Sequence, residues 1–294
     1  MQMPDIDRRR RFVFRGNAAA IGGQIIRPDK FLLESHVASS LTVAGGGSSN
    51  EGTDLTFERS GRRYAHIRWA KTSAQGVYDN PRGFEDLTHR RITADALTTT
   101  TDVSAEVQGF SAGLNPVLTV EQLTATFKAI SPAASGEPAI RVEEAIIEGV
   151  AIGGAKLVVK TAPVVFQEYD TCSKLLRALD DPALRPGLER HLLLKSRLHG
   201  LDPAIMPPFG RLLRSQSTIY ATVVESIEWA GNPPDPRARI IDHTVYVPNF
   251  GKIVFGELLI SDVERRMTLV RLELGSPEGG DVACAEVQSN GIWP

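Results

Sequence analysis

Cysteine is nearly absent from this 294-residue chain, with only Cys172 and Cys284 present. Two thiols cannot build a disulfide framework or a four-cysteine zinc site, and such usage suits a reducing, cytoplasmic compartment or one part of a larger assembly. Long apolar runs are absent too: none approaches the roughly 18 residues that span a bilayer. The basic start Arg8 to Arg11 is followed only by Phe12, Val13 and Phe14 before Arg15 and Gly16. Neither a transmembrane span nor a secretory signal is therefore expected. Charge of one sign is also missing, since 33 basic and 35 acidic residues leave a net charge of -2. That balance speaks against a nucleic-acid binder, and the Arg8 to Arg11 run reads as a solvated terminus or a contact for an acidic partner.

Metal and nucleotide signatures are missing as well. The six histidines (His36, His66, His89, His191, His199 and His243) occur singly, without a His-Glu-x-x-His motif, so no metal site is expected. The glycine-rich run Gly45 to Gly52 lacks the Gly-Lys-Ser/Thr ending of a phosphate loop and reads as a hairpin tip. No cofactor is implied.

What the chain does have is strand periodicity. Val103, Ala105 and Val107 alternate with polar residues, as do Leu123, Ala125, Phe127 and Ala129, which gives half-buried strands. Leu157 to Val159 and Val164 to Phe166 read as strands buried on both faces. The phrases Ala74-Gln75-Gly76-Val77, Val107-Gln108-Gly109-Phe110, Ile147-Glu148-Gly149-Val150 and Val224-Glu225-Ser226-Ile227 share an apolar, polar, small, apolar order. A repeated small residue in mid-strand predicts a repeated bend.

From Thr171 to Arg214 the pattern turns helical. Thr171 is placed to cap a helix carrying Leu175, Leu176 and Leu179, and Asp181-Pro182 to start a second helix carrying Leu188 and Leu192 and ended by Gly200. Strands resume at 219–227 and at about 244–248, 252–260, 267–274 and 282–287. The expected fold is mainly β, a β-sandwich or short β-solenoid with a helical insertion. It forms one interrupted domain made of residues 1–170, the insertion 171–214, and 215–294.

Gly109-Phe110-Ser111-Ala112-Gly113 matches the Gly-x-Ser-x-Gly nucleophile elbow. Pro116 and the β-prone residues after it deny the elbow its helix, so Ser111 reads as a strand residue. If it were a nucleophile, His243 or His191 would be its base. Asp54, Glu58 and Asp86 are the alternative carboxylates for a hydrolase. The basic and aromatic residues Arg59, Arg62, Arg63, Tyr64, Arg68 and Trp69 read as the solvated side of a hairpin.

Val247-Pro248-Asn249-Phe250-Gly251-Lys252-Ile253-Val254-Phe255-Gly256-Glu257, with Met267 to Leu274 and the stretch from Thr100 to Leu157, resembles actinobacterial β-rich surface proteins of the choice-of-anchor P type. The resemblance implies a largely β, non-enzymatic protein and brings no catalytic residues with it. The chain departs from those proteins in its helical insertion and in showing no signal peptide or anchor. The expected function is thus a structural or interaction protein that binds a protein partner or itself, through an insertion surface holding Leu188, Leu192, Leu193 and Leu194. The rival is a serine- or carboxylate-dependent hydrolase with Ser111 and His243.

Overall fold

The computed structural model describes residues 12–28, 30–79, 98–113, 117–133, 137–192, 218–275 and 279–293. About 68% of them lie in strands and 8% in helices. The first sheet, sheet 1, contains β1 (Gly16–Arg27), β2 (Phe31–Ser40), β10 (Ile219–Thr222), β12 (Arg239–Ile241), β13 (Thr244–Val247), β14 (Gly251–Ile260), β15 (Arg265–Leu274) and β16 (Gly279–Ser289). Sheet 2 contains β3 (Gly46–Arg59), β4 (Arg62–Tyr78), β5 (Thr98–Ala112), β6 (Leu118–Pro132), β7 (Ala139–Glu148), β8 (Val150–Ile152), β9 (Ala155–Thr161) and β11 (Val224–Trp229).

All pairings are antiparallel. Sheet 1 runs β12-β13-β14-β15-β16-β1-β2 with β10 beside β14, and sheet 2 runs β11-β9-β8-β6-β5-β4-β3 with β7 beside β6. The sheets stack face to face, with β1 over β4 and β5 and β16 over β5 and β6. Of the two expected forms, the chain takes the sandwich. Phe110, Phe127 and Phe255, each at most 1% exposed, fill the space between the layers. Burying one such ring contributes about 1.5–3 kcal/mol.

Both sheets are bent along a transverse row of residues. In sheet 2 the row is Asp54, Arg68, Gly109, Glu121 and Gly149, because the pairs on either side (Thr53↔Trp69 and Leu55↔Ile67, Trp69↔Gln108 and Ile67↔Phe110, Gln108↔Gln122 and Phe110↔Val120) skip it without losing register. Every second member of the row has left-handed backbone: Asp54 (φ 54°), Gly109 (φ 65°) and Gly149 (φ 65°). Sheet 1 repeats the device with Val37 (φ 46°), Ala20, Ala285 (φ 52°), Leu269 and Gly256 (φ 60°).

At these rows the period of two slips. In sheet 2 successive inward residues are three apart, as in Ile67 and Ala70, Val107 and Phe110, Val120 and Leu123, and Ile147 and Val150, all at most 5% exposed. Two consecutive residues are left on the outer face. In sheet 1 the slip instead buries consecutive residues: Ala20 with Ile21, Leu269 with Val270, and Cys284 with Ala285, all 0% exposed. Sheet 1 thus bends toward the core and sheet 2 away from it, so the two bends nest. Gly109 and Gly149 are the small residues of the expected repeated bend. Gly76 serves otherwise, since a Cβ there would lie 2.6 Å from the Phe14 ring, and Ser226 sits at a separate register shift.

Several expectations are corrected. Residues 219–227 do not form one strand, because Val223 N–H donates to Gly256 O in one sheet while Val223 O accepts from Ala162 N–H beside the other. The chain crosses between sheets at that residue. The run Gly46 to Gly52 is not a hairpin tip but part of β3, paired with β4; Gly45 alone belongs to the turn, where a Cβ would meet the Phe14 ring at 2.9 Å. Val164 to Phe166 form a helix, α1 (Val164–Glu168), rather than a buried strand, since Val164 is 63% exposed and Phe166 N–H bonds Pro163 O.

Helix α2 (Cys172–Asp180) starts at Thr171, whose hydroxyl accepts from Lys174 N–H, and it buries Leu175 and Leu179. Asp181 does not start the next helix. Its carbonyl and carboxylate organise a turn through Ala183, Leu184 and Arg185, and α3 (Arg185–Glu189) follows. That helix ends before His191, so His191 is not a helix residue. Gly200 and the rest of the insertion, through Arg214, lie outside the described residues.

Candidate interaction face

The outer face of sheet 2 is built by the slipped pleat. On either side of the bend, two residues per strand point outward together, so the bend carries Asp54, Arg68, Trp69, Gln108, Glu121, Gln122 and Glu148 in two adjacent rows. Between Arg68 and Glu121 the row has only Gly109, and beyond Glu121 only Gly149. Both glycines are required, for a Cβ on Gly109 would lie 2.9 Å from Arg68 Cβ and one on Gly149 2.2 Å from Glu121 Cγ. The missing side chains leave an open depression of about 540 Å³ lined by Arg68, Gly109, Phe110, Ser111, Thr119, Val120 and Glu121.

Some groups on this face are paired. Trp69 Nε1 donates to Glu51 Oε1 at 2.8 Å, His66 Nε2 lies 2.9 Å from Asp54 Oδ1, and Ser73 bonds Ser104 at 2.8 Å. Among the described residues, the side chains of Arg68, Lys71, Glu106, Gln108, Glu121 and Glu148 make no hydrogen bond or ion pair. Asp102, further along β5, is pushed above the ordinary carboxylate value by burial, with Lys128 opposing and Glu143 and Asp79 adding to the rise.

The outer face of sheet 1 is arranged differently. Arg271 lies between Glu257 (3.0 Å) and Asp281 (3.0 Å), Lys252 pairs with Glu273 at 2.9 Å, and Thr268 Oγ1 donates to Glu286 Oε2 at 2.9 Å. Burial alone would lower the Arg271 guanidinium, but Glu257 and Asp281 raise it above its usual value.

Ser111 lies in β5 on the edge of the sheet 2 depression, directly across the ladder from His66 and Thr119. His243 lies between β12 and β13 of sheet 1, 6% exposed, and no hydrogen bond joins it to Ser111. Asp54 and Glu58 lie on the edge strand β3, while Asp86 is outside the described residues. Leu188 and Leu192 are buried, at 5% and 6% exposure, and belong to the core; Leu193 and Leu194 lie outside the described residues. Tyr64 is buried, whereas Arg59, Arg62 and Arg63 are exposed. Among the described residues no three His, Cys, Asp or Glu side chains gather as a metal site would require. No described helix is long and apolar enough to cross a membrane.

The model of a domain of unknown function, DUF8256, matches residues 12–186. The chain belongs to the DUF8256 family. The DUF8256 match covers β1 to β9 and therefore the whole bent face of sheet 2 from Asp54 to Gly149, but it stops before β10 to β16. Because β1 pairs with β16, the matched part completes its first sheet with strands from the unmatched part. No curated protein and no solved structure matches the chain.

This face is not among the sites expected from the sequence. Its signal was present in the three-residue step between inward positions, which recurs in Val107 to Phe110 and in Ile147 to Val150.

Proposed function

We propose that this DUF8256 protein is a non-enzymatic interaction protein that engages a protein partner, or a second copy of itself, through the bent outer face of sheet 2. The observation that carries the reading is the set of unpaired polar and charged groups around Gly109. Arg68 and Glu121 flank a gap in the side-chain layer, and Gln108, Lys71 and Glu148 stand beside it without partners among the described residues. Exposed side chains of both signs add specificity and set the orientation of docking more than they add raw affinity. The test is a charge reversal, Arg68→Glu with Glu121→Lys, in the full chain. Light scattering reads its oligomeric state and cross-linking its partners. The expected result is loss of the complex or dimer with melting unchanged, and an unaltered complex overturns the reading.

A second reading, a serine-dependent hydrolase, is favoured by one observation. Asp54 bonds His66, and His66 stands opposite Ser111. A carboxylate-held imidazole opposite a serine supplies two of the three links that activate a nucleophile; the third, a hydrogen bond from Ser111 to His66, is not made in this structure. Stoichiometric labelling of Ser111 by an organophosphorus probe, abolished by His66→Gln, would support it. No labelling would end it.

A further inference from the structure

The second region with unexplained polar groups is buried. His191 and His243 are 1% and 6% exposed, and they are linked through Thr222, which contacts His191 and whose hydroxyl donates at 3.1 Å to the carbonyl of Phe255, the residue hydrogen-bonded to His243. His191 follows α3; its carbonyl accepts from Thr222 N–H at 2.8 Å, and its ring Nδ1 lies 3.2 Å from Thr222 O. A carbonyl can only accept, so Nδ1 carries the ring proton and the neutral ring leaves Nε2 bare. That Nε2 has no hydrogen-bond partner, and neither has Nδ1 of His243. The His243 carbonyl accepts from Phe255 N–H at 3.2 Å, and the Glu225 carbonyl faces its ring. Next to His191, Leu192 bridges to Ala221, and the Phe166 ring stands edge-on to the imidazole with centroids 5.9 Å apart.

We propose that His191 and His243 form an acid-sensitive latch, which fastens the end of the helical segment to the crossing point between β10 and β11 and lets it go when the rings are protonated. The groups facing the pair are few. Arg190 and Glu225 form an ion pair at 3.6 Å beside His191, Asp242 precedes His243, and the charge of a protonated His191 acts on His243. Burial pushes both imidazoles below their ordinary value of 6.5 and outweighs the Thr222, Val224 and Glu225 carbonyls that favour the charged form. Arg190 lowers His191 further, and His191 lowers His243, while Glu225 and Asp242 oppose more weakly. The opened state binds protons near the ordinary value and the closed state only at lower pH. Closure therefore loses stability as the pH falls below 6.5.

The opening is local because the start of the helical segment has separate anchors. Arg265, 1% exposed, donates to Phe166 O at 3.3 Å and to Tyr169 O at 2.5 Å, and it stays charged throughout since burial lowers it only to about 10. Asp170 is bound by both Lys174 and Arg141, which hold it ionised below the ordinary carboxylate range despite its burial. Acid near pH 5.5 thus reaches α3 and residues 190–192 before it reaches α1.

Hydrogen exchange on the full chain, corrected for intrinsic rates, tests the latch at pH 7.5 and 5.5. Protection over 185–192 and 219–224 is expected to fall by about tenfold, because one pH unit below the ordinary 6.5 the opened state binds protons that the closed state excludes. Protection in β5 and β6 should stay constant. His191→Phe with His243→Phe is expected to abolish the pH dependence. Should that variant fail to fold, the wild type decides: ring-proton midpoints below 6.5 that coincide with the midpoint of lost protection over 185–192 uphold the latch. Midpoints at the ordinary value, or unchanged protection at pH 5.5, overturn it.

Discussion

The two sheets share a bend but not an outer surface. In sheet 1 the bent row is sealed: Ala20, Ala285 and Leu269 are 0% exposed, and the charges outside it are tied together through Arg271 and Lys252. In sheet 2 the row is open, with Arg68 and Glu121 exposed around a glycine and unpaired among the described residues. The same backbone device therefore serves packing on one side and presentation on the other. The bend is a property of the sandwich, because both sheets need it in order to nest. The unpaired surface is not a property of the sandwich, since sheet 1 manages without one.

The sharpest way to probe the contrast is to add one methyl group to each bend. In Gly256→Ala the new Cβ meets Val223 Cγ2 at 2.7 Å and Val224 Cγ2 at 2.8 Å, inside the core and at φ 60°. Left-handed backbone costs an alanine about 1–2 kcal/mol, and overpacking adds roughly 1–3 kcal/mol. A loss of about 3 kcal/mol by urea denaturation is expected. Gly109→Ala has similar backbone strain, but its Cβ makes a single contact under 3 Å, with Arg68 Cβ at 2.9 Å on an open face, where Gly256 makes two in the core, and should cost less, about 2 kcal/mol. Equal losses would mean that the two bends carry equal packing strain and would erase the contrast.

Second in size is the charge network. Arg271→Leu removes the cation between Asp281 and Glu257, whose side chain is only 4% exposed. Breaking a buried pair costs about 3–5 kcal/mol, and the 27% exposure of Arg271 brings the expected loss down to about 2 kcal/mol. Arg68→Leu, with no partner to lose, should change stability by less than about 0.5 kcal/mol. Thermal unfolding of the two variants side by side measures the difference.

Much of the sandwich was legible in single strands. Val103 to Val107 and Leu123 to Ala129 lie wholly on one side of the bend, so their period of two survives and names the buried face correctly. Across the bend the repeated small residue marked Gly109 and Gly149, but not which face the flanking residues take, because a slip by one residue looks like the end of a pattern unless several strands are compared in register. Residues 219–227 failed for a related reason. Their apolar pattern continues through Val223, while the hydrogen-bond partners change from Gly256 to Ala162. Partners of that kind are long-range, and propensity and periodicity are local. The candidate site shared this fate: Ser111 and Asp54 each drew notice, but only strand pairing puts His66 between them and Arg68 beside Gly109.

The smallest expected effect concerns Asp102, the carboxylate on the outer face of sheet 2 that burial raises most clearly. Its folded value lies above the ordinary 3.8, so between the two the folded state binds more protons than the unfolded one. Stability therefore falls as the pH rises through that window, and above it the penalty persists in full. Paired carboxylates behave the opposite way, as Asp170 does, gaining stability as the pH rises toward 3.8. Asp102→Asn keeps the shape and removes the charge. It should stabilise the protein at pH 7 by a few tenths of a kcal/mol, about the size of an ordinary surface effect, and the gain should shrink as the pH is lowered to 3.8. Denaturation midpoints at pH 7 and pH 4 check this directly. A loss of stability at pH 7 would mean that Lys128 compensates Asp102 fully, and sheet 2 would then be knitted by charge in the way sheet 1 is.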